Sequence, residues 1–388
     1  MARKKKRRLR PEDVEGLKYL ELLEPFLERL HKVGTERDVA GNRDLYFDQY
    51  TALVLLYFFS PIVTSLRGLQ QATELKKVQK KLGISRVSLG SLSEASRVFD
   101  AEALQGVITE LAERALPLAG AADLKALEGL TAVDGSLLPA LPRMAWALWV
   151  DETHRAAKMH LAFEVLRGVP VKVSVTDGNG SEKNELRKML EADRLYVVDR
   201  GYAEYQLFQE IIDADSSFVG RIRNDANWTA VKERPVSPEA KATGVLSDRE
   251  VWLGGKKSRK ALEQTLRIVE VDTGKIDKKG NPEVLLLATN CMDLDADLVA
   301  LAYRYRWSVE LFFRWFKCIL GCQHLLSHSE NGVEIQVYVA IIASLLVSLW
   351  TGKKPTKRTF EMLCFFFCGM ADEDELLAHL NKLKDQDT

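Results

Sequence analysis

Leu195-Tyr196-Val197-Val198-Asp199-Arg200-Gly201-Tyr202 is the stretch on which the fold turns. Its four leading residues are all apolar, which suits a strand covered on both faces rather than one wetted on one side. The run stops at a carboxylate and a glycine, so Asp199 stands where strand gives way to turn. Upstream, Leu130–Leu138, Met159–Leu166 and Val169–Val175 read as strands. Arg167-Gly168 joins the last two as a hairpin, and Asp177-Gly178 closes the run. Ser181–Leu190 reads as a helix with Ser181 as N-cap and Glu182 in its first turn. Downstream, a helix over Tyr205–Ala214 precedes another strand, Phe218–Ile222. Hairpin strands followed by helix, strand, helix and strand predict a mixed α/β sheet.

The flanks have a different texture. Leu17–Val33, Asp48–Phe59, Leu69–Leu82 and Ala101–Leu116 carry apolar residues at helical spacing, with a breaker at Ser60-Pro61. Between Asn224 and Pro282 the chain is rich in Lys, Gly and Pro, with strand-like pieces at Val245–Leu253, Thr265–Val271 and Val284–Ala288. A structureless loop of about 60 residues is improbable inside a compact domain, so an inserted β-rich subdomain is expected there. Asp295–Leu320 reads as a long helix, Gly332–Trp350 as another, and Asp372–Glu375 opens a short last one. The expected division is a helical N-terminal domain with a basic tail (1–120), an α/β domain (121–335) interrupted at 225–284, and a helical C-terminal segment (336–388).

At 388 residues, 46% hydrophobic and 28% charged, the composition is that of a globular protein with a large core. The net charge of zero argues against a uniformly basic nucleic-acid binder, but the distribution is uneven. Arg3, Lys4, Lys5, Lys6, Arg7, Arg8 and Arg10 crowd the first ten residues, either as a solubilising tail or as a DNA contact. Arg67, Lys76, Lys77, Lys80, Lys81, Arg86 and Arg97 face only Glu74 and Glu94 over a helical stretch, a plausible DNA-facing surface. No apolar segment follows the initial cations, so no secretory signal is expected. The longest apolar stretch, Val337–Trp350, is too short to span a bilayer at about 14 residues. Five cysteines with no histidines in zinc-site spacing read as reduced thiols. A cytoplasmic protein without a membrane partner is expected.

Tyr303, Arg306, Glu310, Arg314 and Lys317 are spaced so that all five fall within roughly 80° around a helix axis. The other residues of that helix are mainly aromatic and aliphatic, which buries it on most sides. The polar stripe is then a solvated face or the wall of a polar pocket. Asp134, inside Leu130-Thr131-Ala132-Val133-Asp134-Gly135-Ser136, and Asp199 both follow apolar runs. A carboxylate so placed is costly to desolvate unless it meets a cation or a metal. A salt bridge to Arg200 or a turn closed on the following glycine would serve structurally. Three acids on separate elements fit a divalent-cation site better. Magnesium takes few carboxylates and keeps oxygen positions for water and substrate. Two such ions, about 3.5–4 Å apart, can serve both ends of an in-line phosphoryl transfer. Arg306 and Lys317 would hold flanking phosphates, with Arg314 on the same stripe, and Tyr303 would bond a phosphate or stack on a base.

Tyr303-x2-Arg306-x3-Glu310-x6-Lys317 resembles the Y-R-E-K signature of the insertion-sequence-four family of bacterial DDE transposases. Val133-Asp134-Gly135-Ser136 and Val198-Asp199-Arg200-Gly201-Tyr202 look like that family's two Asp motifs, in the same order. Ser65–Gln71 and Ser88–Ala95 resemble its N-terminal region, so the likeness runs over roughly residues 50 to 350. The resemblance implies a ribonuclease H-like domain interrupted by a β insertion, after a helical domain that reads terminal inverted repeats. It implies catalysis by Asp134, Asp199 and Glu310, which would bind two Mg2+ ions, with Mn2+ able to substitute. The implied reaction is hydrolysis at transposon ends, a DNA hairpin intermediate and strand transfer into target double-stranded DNA. It would be carried out by a homodimer at the bacterial nucleoid. Some relatives stabilise a flipped base with a tryptophan of the insertion, which makes Trp228 and Trp252 candidates, although each also suits a core position. Arg221 and Arg223 could face DNA. His324 and His328 read as structural or DNA-facing rather than metal-binding. Two other readings share these residues: a ribonuclease H-type nuclease without strand transfer, and a domesticated, non-catalytic DNA-binding protein.

Overall fold

The structure is a computed structural model that describes residues 23–31, 44–118, 121–141, 143–149, 151, 154–255, 261–276, 280–322, 324–352, 354 and 356–385. The basic run at 3–10 and the first part of the helix expected from Leu17 lie outside the described residues. Among the described residues six helices come first: α1 (Glu24–His31), α2 (Phe47–Phe59), α3 (Leu66–Ala72), α4 (Lys76–Leu82), α5 (Leu89–Val98) and α6 (Ala103–Glu113). Three antiparallel strands follow, β1 (Leu130–Ala140), β2 (Arg155–Glu164) and β3 (Val169–Asp177). Then α7 (Glu182–Met189), β4 (Leu195–Val198), α8 (Tyr205–Asp213) and β5 (Ser217–Ile222) alternate. Four strands and one short helix come next: β6 (Trp228–Glu233), α9 (Pro238–Ala242), β7 (Val245–Leu253), β8 (Leu266–Ile276) and β9 (Pro282–Thr289). The chain closes with α10 (Ala296–Tyr305), α11 (Trp307–Cys318), α12 (Glu330–Thr351), α13 (Lys357–Phe367) and α14 (Glu373–Asp385).

The nine strands of the described residues form one sheet in the order β3-β2-β1-β4-β5-β9-β8-β7-β6. β4 pairs parallel to β1 and β5 parallel to β4, which gives the 3-2-1-4-5 arrangement of a ribonuclease H-like fold. β4 is buried at every position, as its continuous apolar run requires. The β-rich insertion is not a separate sheet. β9 pairs antiparallel with β5, so β6 to β9 prolong the central sheet from that edge. Asp248 of β7 and Arg267 of β8 form a bidentate ion pair in this extension (Nε–Oδ1 2.8 Å, Nη2–Oδ2 2.6 Å), each only 2% exposed.

α12 is the core of the helical layer. Its residues from Val333 to Ser348 are nearly all buried, and it packs on α2, α5, α6 and β3. A helix apolar all round belongs inside a fold, and this one is longer than its apolar stretch suggests. At 22 residues it is long enough to cross a bilayer, yet 89% of its most apolar window is buried within the protein. Asn331 ties its start to the N-terminal helices by donating to the carbonyls of Ser96 (2.9 Å) and Phe99 (2.7 Å). All five cysteines are free.

Two expected helices are broken. The stretch Leu69–Leu82 splits because the Thr73 hydroxyl donates to the Gln70 carbonyl at the end of α3 and accepts from the Val87 amide. The long helix divides at Arg306, where Arg306 N–H donates to Tyr303 and Val309 N–H to Arg306, both three residues back. Such tightened turns inside a helix mark strain or a functional position.

Candidate active site

Sheet register builds the site. In the parallel β1–β4 pair Ala132 is opposite Val197, and in β4–β5 Val197 is opposite Val219. Two residues further along the chain from each stand Asp134 in β1, Asp199 just past the end of β4, and Arg221 in β5. A period of two keeps these positions on one face, with neighbouring strands about 4.8 Å apart. Asp134 is part-buried, and its Oδ1 accepts the Gly135 amide at 2.8 Å. Burial pushes its pKa up to about 6; Asp199 and Glu182 push the same way, while the Gly135 bond and Arg306 oppose. Asp199 Oδ1 accepts the Gly201 amide at 2.6 Å, so the turn that ends β4 holds the carboxylate. Arg200 is exposed.

Glu310 arrives from the first turn of α11, which packs on β1 and β2. Arg306 Nη2 donates to Glu310 Oε1 at 2.6 Å, and Arg306 Nη1 lies 3.7 Å from Asp134 Oδ2. One guanidinium therefore links the first Asp to the Glu. Lys317 donates to the Leu137 carbonyl, clamping α11 to β1 just beyond Asp134. The Tyr303 ring lies beside the Arg306 guanidinium, 5.9 Å from its centroid. Burial raises the Tyr303 pKa, and among its charged neighbours are Arg306, Arg221 and Asp199. The Arg221 Nε is buried without a partner among the described residues. Arg306 and Lys317 thus reach β1, Tyr303 lies beside Arg306, and Arg314 is exposed with Trp307 and Leu311.

Trp228 and Trp252 do not join this group. They lie on β6 and β7, at the far edge of the sheet. Following the rungs from Val219 through Thr289, Arg267 and Glu250 reaches Lys232. Both tryptophans lie beyond that row in the direction away from Asp199. Arg223 pairs with Asp225 on the surface at 2.7 Å. Among the described residues no three His, Cys, Asp or Glu side chains form a ready cluster for a metal ion as they are placed.

Three groups at the site escaped the sequence reading. Glu182, at the start of α7, pairs with Lys158 of β2 at 2.9 Å. A β-carbon built on Gly135 would lie 2.9 Å from Glu182 Oε1, and one on Gly201 would lie 2.9 Å from Asp199 Oδ1 and 3.9 Å from Glu182 Oε2. The glycines of both Asp motifs therefore leave room for carboxylates. Tyr202 is fully buried beside the same acids. An acid in the first turn of a helix satisfies the dipole anyway, so Glu182 carried no signal of a site.

The donor set suits a hard divalent cation: oxygen ligands only, and an Asp134 whose charge burial and two neighbouring acids disfavour. Arg306 now serves as their counter-charge, and it would have to swing aside for Asp134 and Glu310 to share an ion.

The family model described as transposase DDE domain matches residues 125–346, more than half of the chain. A Sinorhizobium fredii protein named as a transposase is 29% identical over 222 residues, 57% of this chain and 60% of that protein. A Geobacillus stearothermophilus protein named as the transposase of an insertion sequence element is 26% identical over 238 residues, 60% of each. A Synechocystis protein with a similar name is 21% identical, over 72% of this chain and 77% of its own length. The chain thus spans about 60% of the length of the first two. A synaptic complex of piggyBac transposase with hairpin DNA superposes with a TM-score of 0.46 at 11% identity, covering 95% of this chain and 81% of that one.

Proposed function

Because the chain belongs to the family of transposase DDE domains, we propose that it is a DNA transposase that cuts at transposon ends and joins them to target DNA. Asp134, Asp199 and Glu310 are the catalytic and metal-binding residues of this reading, with Mg2+ as the ion and Mn2+ as a substitute. Its main support is geometric: Asp199 is among the charged neighbours of Asp134, and Arg306 bonds Glu310 and lies 3.7 Å from Asp134.

The reaction is phosphodiester hydrolysis followed by attack of the freed 3′-hydroxyl on a second phosphodiester. When bound, magnesium would polarise the phosphate, activate the attacking oxygen and offset charge on the leaving one. The chain's own residues orient the DNA. Arg221, with an unsatisfied Nε in the same row as the acids, offers a donor to a phosphate oxygen. Arg306, once turned from the carboxylates, offers a planar fork, and Tyr303 beside it a hydroxyl and a ring face. Exposed Arg314 extends this cationic track. A hairpin intermediate, inverted-repeat recognition by the N-terminal helices and a homodimeric synaptic complex belong to the same reading. Trp228 or Trp252 could enter it only by contacting DNA far from their own chain's acids.

The test is cleavage of a transposon-end duplex in Mg2+, comparing the intact chain with Glu310→Ala. Lost cleavage with retained end binding is expected, and unchanged cleavage removes Glu310 from the site. Supplying target DNA separates a transposase, which joins ends, from a nuclease, which only cuts.

A further inference from the structure

We propose that Glu182 is a fourth carboxylate of the cation site, held in reserve by Lys158, which acts as its built-in counter-ion until a divalent ion takes over that role. The inference rests on the metal-binding reading of Asp134, Asp199 and Glu310 and adds a residue outside the motif triad.

Three observations carry it. The first is position. Glu182 starts α7, yet its carboxylate reaches the glycines that follow both catalytic aspartates: Oε1 lies 2.9 Å from where a Gly135 β-carbon would be, and Oε2 3.9 Å from that of Gly201. Asp199 Oδ1 lies 2.9 Å from the latter point, so both acids border the same small space. The second is a pairing that can be exchanged. Lys158 Nζ lies 2.9 Å from Glu182 Oε1 and donates to the Gly180 carbonyl at 3.3 Å, so it keeps a partner when Glu182 lets go. The third is an orphan. The Tyr202 hydroxyl is buried, with the residue 1% exposed, and has no hydrogen-bond partner among the described residues. Its charged neighbours are Glu182, Asp134, Asp199 and Arg306. A buried hydroxyl without a partner is expensive, and a donor aimed at acids finds one when a carboxylate rotates towards it.

Glu182, Asp134 and Asp199 therefore stand around Tyr202, with Lys158 paired to Glu182 and Arg306 between Asp134 and Glu310. Carboxylate oxygens are the ligands a hard ion prefers, and a divalent ion can displace an ammonium that holds one of them. Lys158 would then be free to meet a DNA phosphate at the mouth of the site, coupling ion loading to substrate capture.

The test is Mn2+ titration of the full chain without DNA, with free Mn2+ read by electron paramagnetic resonance. Glu182→Gln is expected to weaken Mn2+ binding by about tenfold or more. Lys158→Met is expected to tighten it by roughly threefold or more, because a competing positive charge is removed. Unchanged binding in Glu182→Gln, or unchanged or weaker binding in Lys158→Met, overturns the proposal. Should Glu182→Gln fail to fold, Lys158→Met decides alone, with tighter binding in support and unchanged or weaker binding against. Asp134→Asn and Glu310→Gln keep the two readings apart. If these bind Mn2+ normally, the underlying metal reading fails; if they lose it while Glu182→Gln does not, only the fourth carboxylate is removed.

Discussion

Asp248→Asn is the substitution whose cost the structure defines best. Asp248 accepts two charge-assisted hydrogen bonds from Arg267, at 2.8 and 2.6 Å, and Arg234 Nε lies 3.6 Å away. Arg267 also donates to the Cys291 carbonyl at 3.1 Å and to that of Leu294, while Arg234 donates to the Met292 carbonyl at 2.6 Å. The carboxylate therefore fixes two guanidinium groups that hold the segment entering α10, the helix that carries Tyr303. Substitution by Asn keeps the shape but leaves a buried Arg267 uncompensated, and breaking such a pair costs about 3–5 kcal/mol. Replacing both partners, as Asp248→Leu with Arg267→Met, removes the charge from each side and should cost clearly less than the single change. Urea unfolding measures both. A single variant as stable as the parent, or a double variant less stable than the single, would refute the reasoning.

Gly135→Ala should leave stability within about 1 kcal/mol of the parent, because the added methyl meets the end of a flexible side chain. It displaces Glu182, so impaired Mn2+ binding with an unchanged urea midpoint is the expected pair of results. Lys317→Met removes the tie from α11 to the Leu137 carbonyl, and burial already lowers the Lys317 pKa. The expected outcome is lower stability and slower DNA cleavage together; loss of DNA affinity alone would instead mark a phosphate contact. Hydrogen bonds from Arg187, then Lys183, hold the Glu204 pKa below its ordinary value of 4.5. A depressed carboxylate stabilises the fold above that value and loses its effect as pH falls through the folded pKa. Glu204→Gln should therefore lower the urea midpoint slightly at neutral pH, the side chain being partly solvated. The difference should vanish in acid, and a gap that persists there contradicts the assignment.

How legible these features were in the sequence follows from how local they are. The apolar run before Asp199 announced a fully buried strand, and β4 spans Leu195–Val198 as expected. Ser181 was readable as an N-cap, and its side chain accepts from the Asn184 amide. The spacing of Arg306 and Glu310 put them on one helix face, but neither their ion pair nor the reach of Arg306 to Asp134 was visible. Arg221 enters the row of acids only through strand pairing, which composition does not reveal. The Lys-, Gly- and Pro-rich texture after Asn224 marked an interruption, yet which sheet edge its strands would join depended on β9 returning to β5. Edge strand β6, mostly exposed, lacks the alternation that marks a strand.

Localised hydroxyl-radical cleavage tests the convergence of the three acids most directly. Fe2+ replaces the divalent ion, ascorbate and peroxide are added, and the polypeptide cuts are mapped. Cuts near residues 134, 199 and 310, all lost in Glu310→Ala and suppressed by excess Mg2+, are the expected result. Iron bound with cuts elsewhere, or at only one of these segments, would show that Asp134, Asp199 and Glu310 do not grip a common ion.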